Sequence, residues 1–149
     1  MIELGRQISE WSIESINDSE IPTLKSFKGN PLLILFFNLG CPGCKGRALP
    51  FANWVNLEYK DKINVVGIHT NFEGVDFTNE QLVDCKSEFY INFPYFRDRN
   101  YNTTFIDYGA GGTPHWILVD KDQNLDYSIF GSDPNNALLR LDLKIQEII

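Results

Sequence analysis

The feature that most constrains the fold of this chain is an apolar run, LLILFFN at residues 32–38, that leads directly into the cysteine pair Cys41 and Cys44. The run shows no alternation of polar and apolar residues, so it predicts a strand that is buried on both faces. Such strands lie in parallel or mixed sheets that helices cover. The sequence therefore predicts an α/β domain in which the cysteine pair follows the end of a central strand.

The residues after the first cysteine have the periodicity of a helix. Apolar side chains recur there at spacings of three and four, namely Cys44, Ala48, Phe51, Ala52, Val55 and Tyr59. This spacing places them on one face of a helix. Pro50 lies inside the pattern, where it removes one backbone hydrogen bond and clashes with the carbonyl of Gly46. We therefore predict an amphipathic helix with a kink at Pro50.

The rest of the chain continues this alternation of strands and helices. Further strands are predicted at residues 63–70, 93–96, 115–120 and 125–130, a Gly-rich connection at 98–114, and helices at 78–91 and in the tail from Asp133 or Pro134. The first half of this order requires βαβ crossovers and parallel strands, and the hairpin adds antiparallel ones. The prediction is a single domain over residues 1–149, with a central mixed sheet, helices on both faces, and residues 1–21 as an N-terminal extension or edge strand.

Charge and length exclude several classes of partner. The chain has 149 residues and a formal net charge of −7, without a cluster of Lys or Arg. Such a chain repels phosphate backbones and anionic lipid, so we expect neither nucleic acid nor a membrane as a partner. The N-terminal sequence MIELGRQISEW lacks a basic segment followed by an apolar one, which favours the cytoplasm. A chain with its leader removed would look the same, and the periplasm would then be the expectation.

The position of the two cysteines indicates their chemistry. Cys41 falls where a buried strand ends and a helix starts, and the N-terminus of a helix stabilises a thiolate. Pro42 suits the first helical position, where its missing N–H costs nothing. Gly43 is the second of the two residues between the cysteines. Cys44 follows within one helical turn of Cys41 and nearer the core. We predict Cys41 as the attacking thiol and Cys44 as the resolving thiol of a redox-active disulfide.

A zinc half-site is the alternative interpretation of a CxxC pair. It needs two further ligands, which usually form a second closely spaced pair. Only His69, Cys85 and His115 remain, and they are scattered through the sequence. We therefore predict no metal ligands, interpret Cys85 as a small core residue, and interpret His69 as a core or surface residue at the end of the second strand.

These motifs together resemble the thioredoxin-like superfamily, in particular its redoxin branch of TlpA-type thiol–disulfide oxidoreductases and AhpC/TSA-like proteins. The segment LLILFFNLGCPGCKGRALP resembles the strand, dithiol and kinked helix of that branch, and GAGGTPHWILVDKDQNLDYSIFG resembles its cis-proline strand and hairpin. The resemblance covers roughly residues 22–149. It implies a thioredoxin-like fold and oxidoreductase activity.

The resemblance also implies how substrates and electrons are handled. Pro114 would follow a cis peptide bond, and the backbone of Thr113 would face the dithiol and pair with substrate backbone. The expected partners are a protein disulfide substrate and an external thiol reductant. The expected redox group is the Cys41–Cys44 disulfide itself, without another cofactor.

The chain departs from the family pattern at several positions. Gly40 stands where thioredoxins usually carry Trp, Leu35 where they carry a buried Asp, and Arg47 where many TlpA-type proteins carry Glu. Pro50 comes one residue later than usual, which predicts an extra residue or a local bulge. Arg47 and His115 remain candidate modulators, since a positive charge close to the thiols would stabilise a thiolate.

Two other functions remain open from the sequence. A peroxiredoxin-like peroxidase would oxidise Cys41 to a sulfenic acid. Asn38 counts against it, because such enzymes carry Thr three residues before the reactive cysteine. A copper-handling module would need an imidazole from His115 or His69 beside the two thiols, with Cu(I) as the preferred ion.

Overall fold

The computed structural model describes residues 3–72 and 74–149, and its centre is one six-stranded sheet. Met1, Ile2 and Glu73 lie outside the described residues. The strands are β1 (Ile13–Glu14), β2 (Leu32–Phe37), β3 (Asn64–His69), β4 (Tyr95–Asp98), β5 (His115–Val119) and β6 (Leu125–Phe130). The α-helices are α1 (Leu49–Glu58), α2 (Asn79–Glu88), α3 (Thr103–Asp107) and α4 (Ala137–Ile148).

The sheet is mixed, as the strand pattern predicts. Its order is β1-β4-β3-β2-β5-β6. Strands β2, β3 and β4 run parallel, whereas β5 is antiparallel to β2 and β6 is antiparallel to β5. The short strand β1 pairs antiparallel with β4 at one edge, within the predicted N-terminal extension. Strand β2 is therefore central, and the dithiol follows its carboxyl end.

Helices cover both faces of the sheet, because β2 buries alternate side chains on opposite sides. Leu33, Leu35 and Phe37 belong to a core that includes residues of α1, α2 and α4. Leu32, Ile34 and Phe36 belong to a second core that includes Phe105 of α3 and residues of the N-terminal segment. The α/β architecture predicted from the sequence, a central mixed sheet with helices on both faces, is confirmed. Among the described residues, no helix has both the length and the apolar character needed to cross a bilayer.

The turn around the second cysteine contains the extra residue that the position of Pro50 predicts. Residues Cys44–Ala48 form a π-helical segment, and the N–H of Leu49 donates to the carbonyl of Cys44. Such a wider turn accommodates one inserted residue. Pro50 then falls at the start of α1, where a missing N–H is tolerated. The predicted irregularity is thus a π segment that precedes Pro50.

Two helices begin where the sequence pattern did not place them. The connection at residues 98–114 contains the short helix α3, whose first N–H groups donate to the buried carboxylate of Asp98. Helix α4 begins at Ala137, whereas the sequence pattern places Pro134 in its first turn with Asp133 or its neighbour as the cap. The reason is that residues 134–136 form a turn, and the side chain and carbonyl of Asp133 accept N–H groups of the first helical residues.

Candidate redox-active dithiol site

Two cysteines with free thiols occupy the turn between β2 and α1. The backbone of this turn is held by hydrogen bonds from Cys41 N–H to the carbonyl of Asn38 over 3.0 Å and from Cys44 N–H to the carbonyl of Cys41 over 3.1 Å. Cys41 is half-buried, and Cys44 is completely buried in the core below it. The pair therefore consists of an accessible outer thiol and an inner thiol.

The sulfur of Cys41 has a donor and an acceptor beside it. The backbone N–H of Cys44 points at Cys41 Sγ over 3.2 Å. The thiol of Cys41 donates to the carbonyl of Thr113 over 3.4 Å. When Cys41 loses its proton, the N–H of Cys44 remains in place, and a backbone N–H stabilises an anionic sulfur. A backbone donor is therefore already in place at the sulfur of Cys41.

The thiol of Cys44 is kept protonated by its surroundings. Burial raises the pKa of the Cys44 thiol, and its hydrogen bond with Cys41 raises that pKa further. An anion at this position would lose its hydration without a compensating positive charge. In the reduced protein Cys41 is consequently the thiol suited to the first attack, and Cys44 is suited to the second.

The segment opposite Cys41 comes from the start of β5. The peptide bond between Thr113 and Pro114 is cis. The carbonyl of Pro114 accepts the N–H of Gly131 over 2.9 Å, which fixes the segment against the end of β6. Within the described part of the chain, the N–H of Thr113 has no hydrogen-bond partner. A backbone edge next to Cys41 is thus available to a polypeptide.

A groove with a volume of about 770 Å³ opens beside Cys41. Its lining residues among those described are Asn38, Gly40, Cys41, Phe72, Gly74, Val75, Phe77 and Thr113. One side of it is formed by the dithiol turn and Thr113, and the other side by the loop between β3 and α2. The sulfur of Cys41 therefore lies in an open cleft with largely apolar walls.

Asn38 fastens the dithiol turn to the sheet, a role that sequence reasoning missed. Its Oδ1 accepts the N–H of Gly40 over 2.8 Å, and its Nδ2 donates to the carbonyl of Thr70 over 2.9 Å. The side chain thus joins the ends of two neighbouring strands. Its position directly after the apolar run is the signal from which this role could have been inferred.

His69 fastens the same turn from the end of β3. Its imidazole is 1% exposed, and Nε2 accepts the N–H of Leu39 over 3.1 Å. Burial and the nearby charge of Arg97 lower the pKa of His69 to about 4, so the ring is neutral at pH 7. The residue lies in the core, as one of the two interpretations from the sequence held, and there it also supports the backbone that precedes Cys41.

Pro42, Gly43 and Arg47 lie at the surface of the dithiol turn. Arg47 is exposed, and its Nε donates to Ser132 Oγ over 3.4 Å. A side chain added to Gly43 would meet that same Oγ at 3.0 Å and Pro114 at 3.8 Å. Gly43 therefore permits a close approach between the dithiol turn and the segments that carry Pro114 and Ser132. Ser132, which is buried, was not predicted as a site residue.

His115, a candidate modulator from the sequence, does not lie beside the thiols. His115 pairs across the sheet with Phe36, which belongs to the core on the face opposite Cys44. Its Nδ1 accepts the N–H of Gly111 over 3.2 Å, and its Nε2 bonds to Ser128 Oγ over 2.8 Å. Burial lowers the pKa of His115 to about 4, so the ring is neutral at pH 7. Side-chain alternation along β5 turned the ring away from the dithiol.

The third cysteine, Cys85, lies in the core of the protein. Cys85 is 1% exposed in the core and donates to the carbonyl of Leu82 over 3.0 Å, as expected of a small core residue. Across residues 3–72 and 74–149, no group of three or more His, Cys, Asp or Glu side chains is placed to hold a metal ion.

Comparison with known proteins gives one family and many related structures. The profile of the AhpC/TSA family matches residues 4–128. A search of curated proteins gave no significant match.

Solved structures share the fold over nearly the whole chain. A putative thiol:disulfide interchange protein DsbE from Chlorobium tepidum superposes with a TM-score of 0.85 at 17% identity, covering 99% of each chain. A thioredoxin-like superfamily protein superposes with a TM-score of 0.83 at 28% identity, covering 96% of each chain. A thiol-disulfide isomerase from Corynebacterium glutamicum superposes with a TM-score of 0.82 at 26% identity, covering 95% of this chain and 94% of the other.

Proposed function

The chain belongs to the AhpC/TSA family, and we propose that within it the protein is a thiol–disulfide oxidoreductase with Cys41 as the attacking thiol and Cys44 as the resolving thiol. The observation that carries this proposal is the asymmetry of the pair. The outer sulfur has a backbone donor and an open groove beside it, and the inner sulfur is buried and protonated. Similar structures that support the proposal include a thiol-disulfide isomerase at 26% identity and a putative thiol:disulfide interchange protein at 17% identity.

The reaction proceeds in two exchanges. The Cys41 thiolate attacks one sulfur of a substrate disulfide, so that a Cys41–substrate disulfide forms and the other substrate sulfur leaves as a thiolate. That leaving thiolate takes up a proton. The Cys44 thiol then loses its proton and attacks Cys41 Sγ, which forms the Cys41–Cys44 bond and releases the second substrate sulfur as a thiol. The substrate gains two electrons and two protons.

A polypeptide disulfide is the substrate class that the backbone around Cys41 favours. The N–H of Thr113 is unused among the described residues, and its carbonyl contacts Cys41 Sγ. An extended chain that pairs with this edge would bring its own cysteine to Cys41. An external dithiol reductant would then reduce the Cys41–Cys44 bond and complete the cycle.

The test is to trap the intermediate. In Cys44→Ala the second exchange cannot occur, so mixed disulfides between Cys41 and substrate proteins should accumulate and release their partners on reduction. Cys85→Ala is the matched control, because it removes a buried cysteine outside the turn and should trap nothing. Absence of any trapped mixed disulfide in Cys44→Ala would contradict the proposal.

A redox titration gives the direction of electron flow. Thiol trapping of Cys41 and Cys44 in thiol/disulfide buffers should show a single two-electron transition. A potential near about −270 mV would indicate a disulfide reductase, and one near about −120 mV a disulfide donor.

The cytoplasmic location remains a prediction, which fractionation of cells tests.

The peroxidase and copper functions have less support from the site. The side chain of Asn38 bonds to the N–H of Gly40 and to the carbonyl of Thr70, and among the described residues it makes no hydrogen bond to the sulfur of Cys41. Both imidazoles have other partners: His69 binds Leu39 N–H, and His115 lies on the far face of the sheet. Rapid peroxide consumption, or copper that survives a chelating wash, would favour the respective alternative over thiol–disulfide exchange.

A further inference from the structure

We infer that Phe72, Val75 and Phe77, the apolar wall of the groove beside Cys41, select polypeptide disulfides that carry a bulky apolar side chain within two residues of the reacting cysteine. This inference rests on the proposed function and specifies its substrate class. The wall belongs to the loop between β3 and α2. It faces the same groove as Cys41 and Thr113.

Two side chains of the apolar wall are exposed to solvent. Val75 is 79% exposed and Phe72 is 39% exposed, whereas most large apolar side chains of the sheet are buried. Covering such surface with an apolar group is favourable by roughly 25 cal/mol per Å². Binding an apolar group to the wall is therefore favourable, and this binding takes place next to the sulfur of Cys41.

The geometry of a mixed disulfide brings a substrate chain onto this wall. The Cα atoms of two disulfide-linked cysteines usually lie about 5.5–6 Å apart. An extended chain advances about 3.3 Å per residue, so residues within two positions lie within about 7 Å of the substrate cysteine. Because Cys41 and the apolar wall line one groove, those neighbouring residues reach the wall when the sulfur reaches Cys41.

The groove favours apolar over charged neighbours. None of the lining residues that the structure describes is Asp, Glu, Lys or Arg. A carboxylate that enters would lose hydration, and the described lining residues offer it no Lys or Arg as a partner. An apolar side chain loses no hydrogen bonds and buries area against the wall.

Arg97 on β4 holds the loop of the apolar wall in place. Its Nη1 forms an ion pair with Asp76 Oδ1 over 3.1 Å, and its Nε donates to Asn79 Oδ1 over 2.9 Å. Its Nη2 donates to the carbonyl of Phe77. One guanidinium thus joins three points of the segment from the wall to the start of α2.

Aromatic contacts fix the two rings of the wall. Phe77 packs edge-on against His69 with ring centroids 5.6 Å apart. Phe72 stacks on Phe105 with centroids 5.1 Å apart and an interplanar angle of 2°. A wall that is already ordered costs less entropy when a substrate binds.

The test uses disulfide-linked dimers of the peptide Lys-Ser-Ser-Cys-Ser-Ser-Lys. Each of the four serines is replaced in turn by leucine, by lysine or by glutamate, and kcat/KM for reduction by the wild-type protein is compared. At one position at least, we expect leucine to raise kcat/KM about tenfold over serine, while glutamate lowers it. Oxidised glutathione is reduced in parallel as a probe without such side chains.

A second experiment introduces a negative charge into the apolar wall and measures the change in substrate preference. Val75→Asp should abolish the advantage of leucine and confer a preference for lysine at the same peptide position. The high exposure of Val75 keeps the fold independent of this change, which circular dichroism checks. Leu143→Asp is the matched control: it is an apolar residue of α4 with 53% exposure outside the groove, and it should retain the wild-type preference.

Each outcome separates the two proposals. Reduction of all peptides at equal rates, with glutathione reduced as well, would overturn the apolar wall and leave the oxidoreductase function intact. Failure to reduce any disulfide would overturn the proposed function and the wall with it. A wild-type dimer that Val75→Asp converts to monomer would show that a second copy covers the wall, which would also overturn the inference.

Discussion

The backbone N–H of Cys44 donates to the sulfur of Cys41 over 3.2 Å, while the sulfur of Cys44 itself is completely buried. One residue therefore supplies the backbone donor for the sulfur of Cys41 and the thiol that, in the proposed reaction, attacks this sulfur and displaces the substrate from it. This arrangement depends on the tight turn after β2, which brings the N–H of Cys44 within reach of a side chain three residues earlier.

Alkylation should distinguish the three cysteines. In the reduced native protein, iodoacetamide should add rapidly to one thiol, that of Cys41. Cys44 is buried with a raised thiol pKa, and Cys85 is 1% exposed. Mass spectrometry should show one adduct in the native protein and three after unfolding. Cys41→Ser should show no rapid adduct, and two rapid adducts in the native wild type would contradict this picture.

Asn38→Ala should destabilise the protein through the turn. The variant loses the hydrogen bonds to Gly40 N–H and to the carbonyl of Thr70. We expect the free energy of unfolding to fall by about 1–3 kcal/mol, because each lost bond leaves a partner unsatisfied. Urea denaturation measures this. Asn30→Ala, at an exposed position whose side chain makes no hydrogen bond among the described residues, should change the free energy of unfolding by less than about 0.5 kcal/mol.

Acidification should destabilise the protein through its two histidines. Their pKa values are lowered from 6.5 to about 4 in the folded state, by burial first in both cases and for His69 also by Arg97. Between these values the unfolded chain binds more protons, so stability that is present above about pH 6.5 is lost as the pH falls. From pH 7 to pH 5 each histidine should contribute a loss of about 2 kcal/mol in the free energy of unfolding.

The variant His115→Gln isolates one histidine. It keeps an amide that can reach Ser128 and removes the titration. Urea denaturation at pH 7 and pH 5 should therefore show a smaller pH-dependent loss for the variant than for the wild type. Equal losses in the two proteins would mean that His115 is not the source.

Gly67→Ala should be costly because strand β3 has no space at that position. A Cβ there would lie 3.0 Å from both Phe93 Cε2 and Tyr95 Cβ and 3.1 Å from Phe37 Cε1. We expect a loss of about 1–3 kcal/mol in the free energy of unfolding from overpacking. Gly46→Ala is the control, since a Cβ there has no described atom within 4 Å and alanine favours the helical conformation. A neutral Gly67→Ala would contradict the tight packing.

The parts of the fold that the sequence predicts well are those with a strong local pattern. The apolar run predicts β2 and the spacing of apolar residues predicts α1, because burial on one or two faces sets the spacing of apolar residues along an element. The extra residue before Pro50 was also visible, and it became the π segment at Cys44–Ala48. Helix α3 lacked such a pattern, because it depends on the carboxylate of Asp98 that caps it from outside the helix.

Among the residues around the dithiol, some are predicted by a local sequence pattern and others depend on contacts between distant segments. Cys41 and Cys44 follow from their place between a strand and a helix. The roles of Asn38 and His69 depend on bonds to Thr70 and Leu39, about thirty residues away in sequence. Such pairs become neighbours only when the strands that carry them are aligned in register.

The sequence by itself determined a buried strand, a dithiol at its end and a helix that opens with Pro42, because these features depend on residues within one or two turns of each other. Tertiary structure alone decided that Thr113, 72 residues from Cys41, contacts its sulfur, and that the apolar wall lies across the groove. It also turned His115 to the opposite face. The order of strands and the face on which a side chain emerges are set by pairing between distant segments, and no local pattern specifies that pairing.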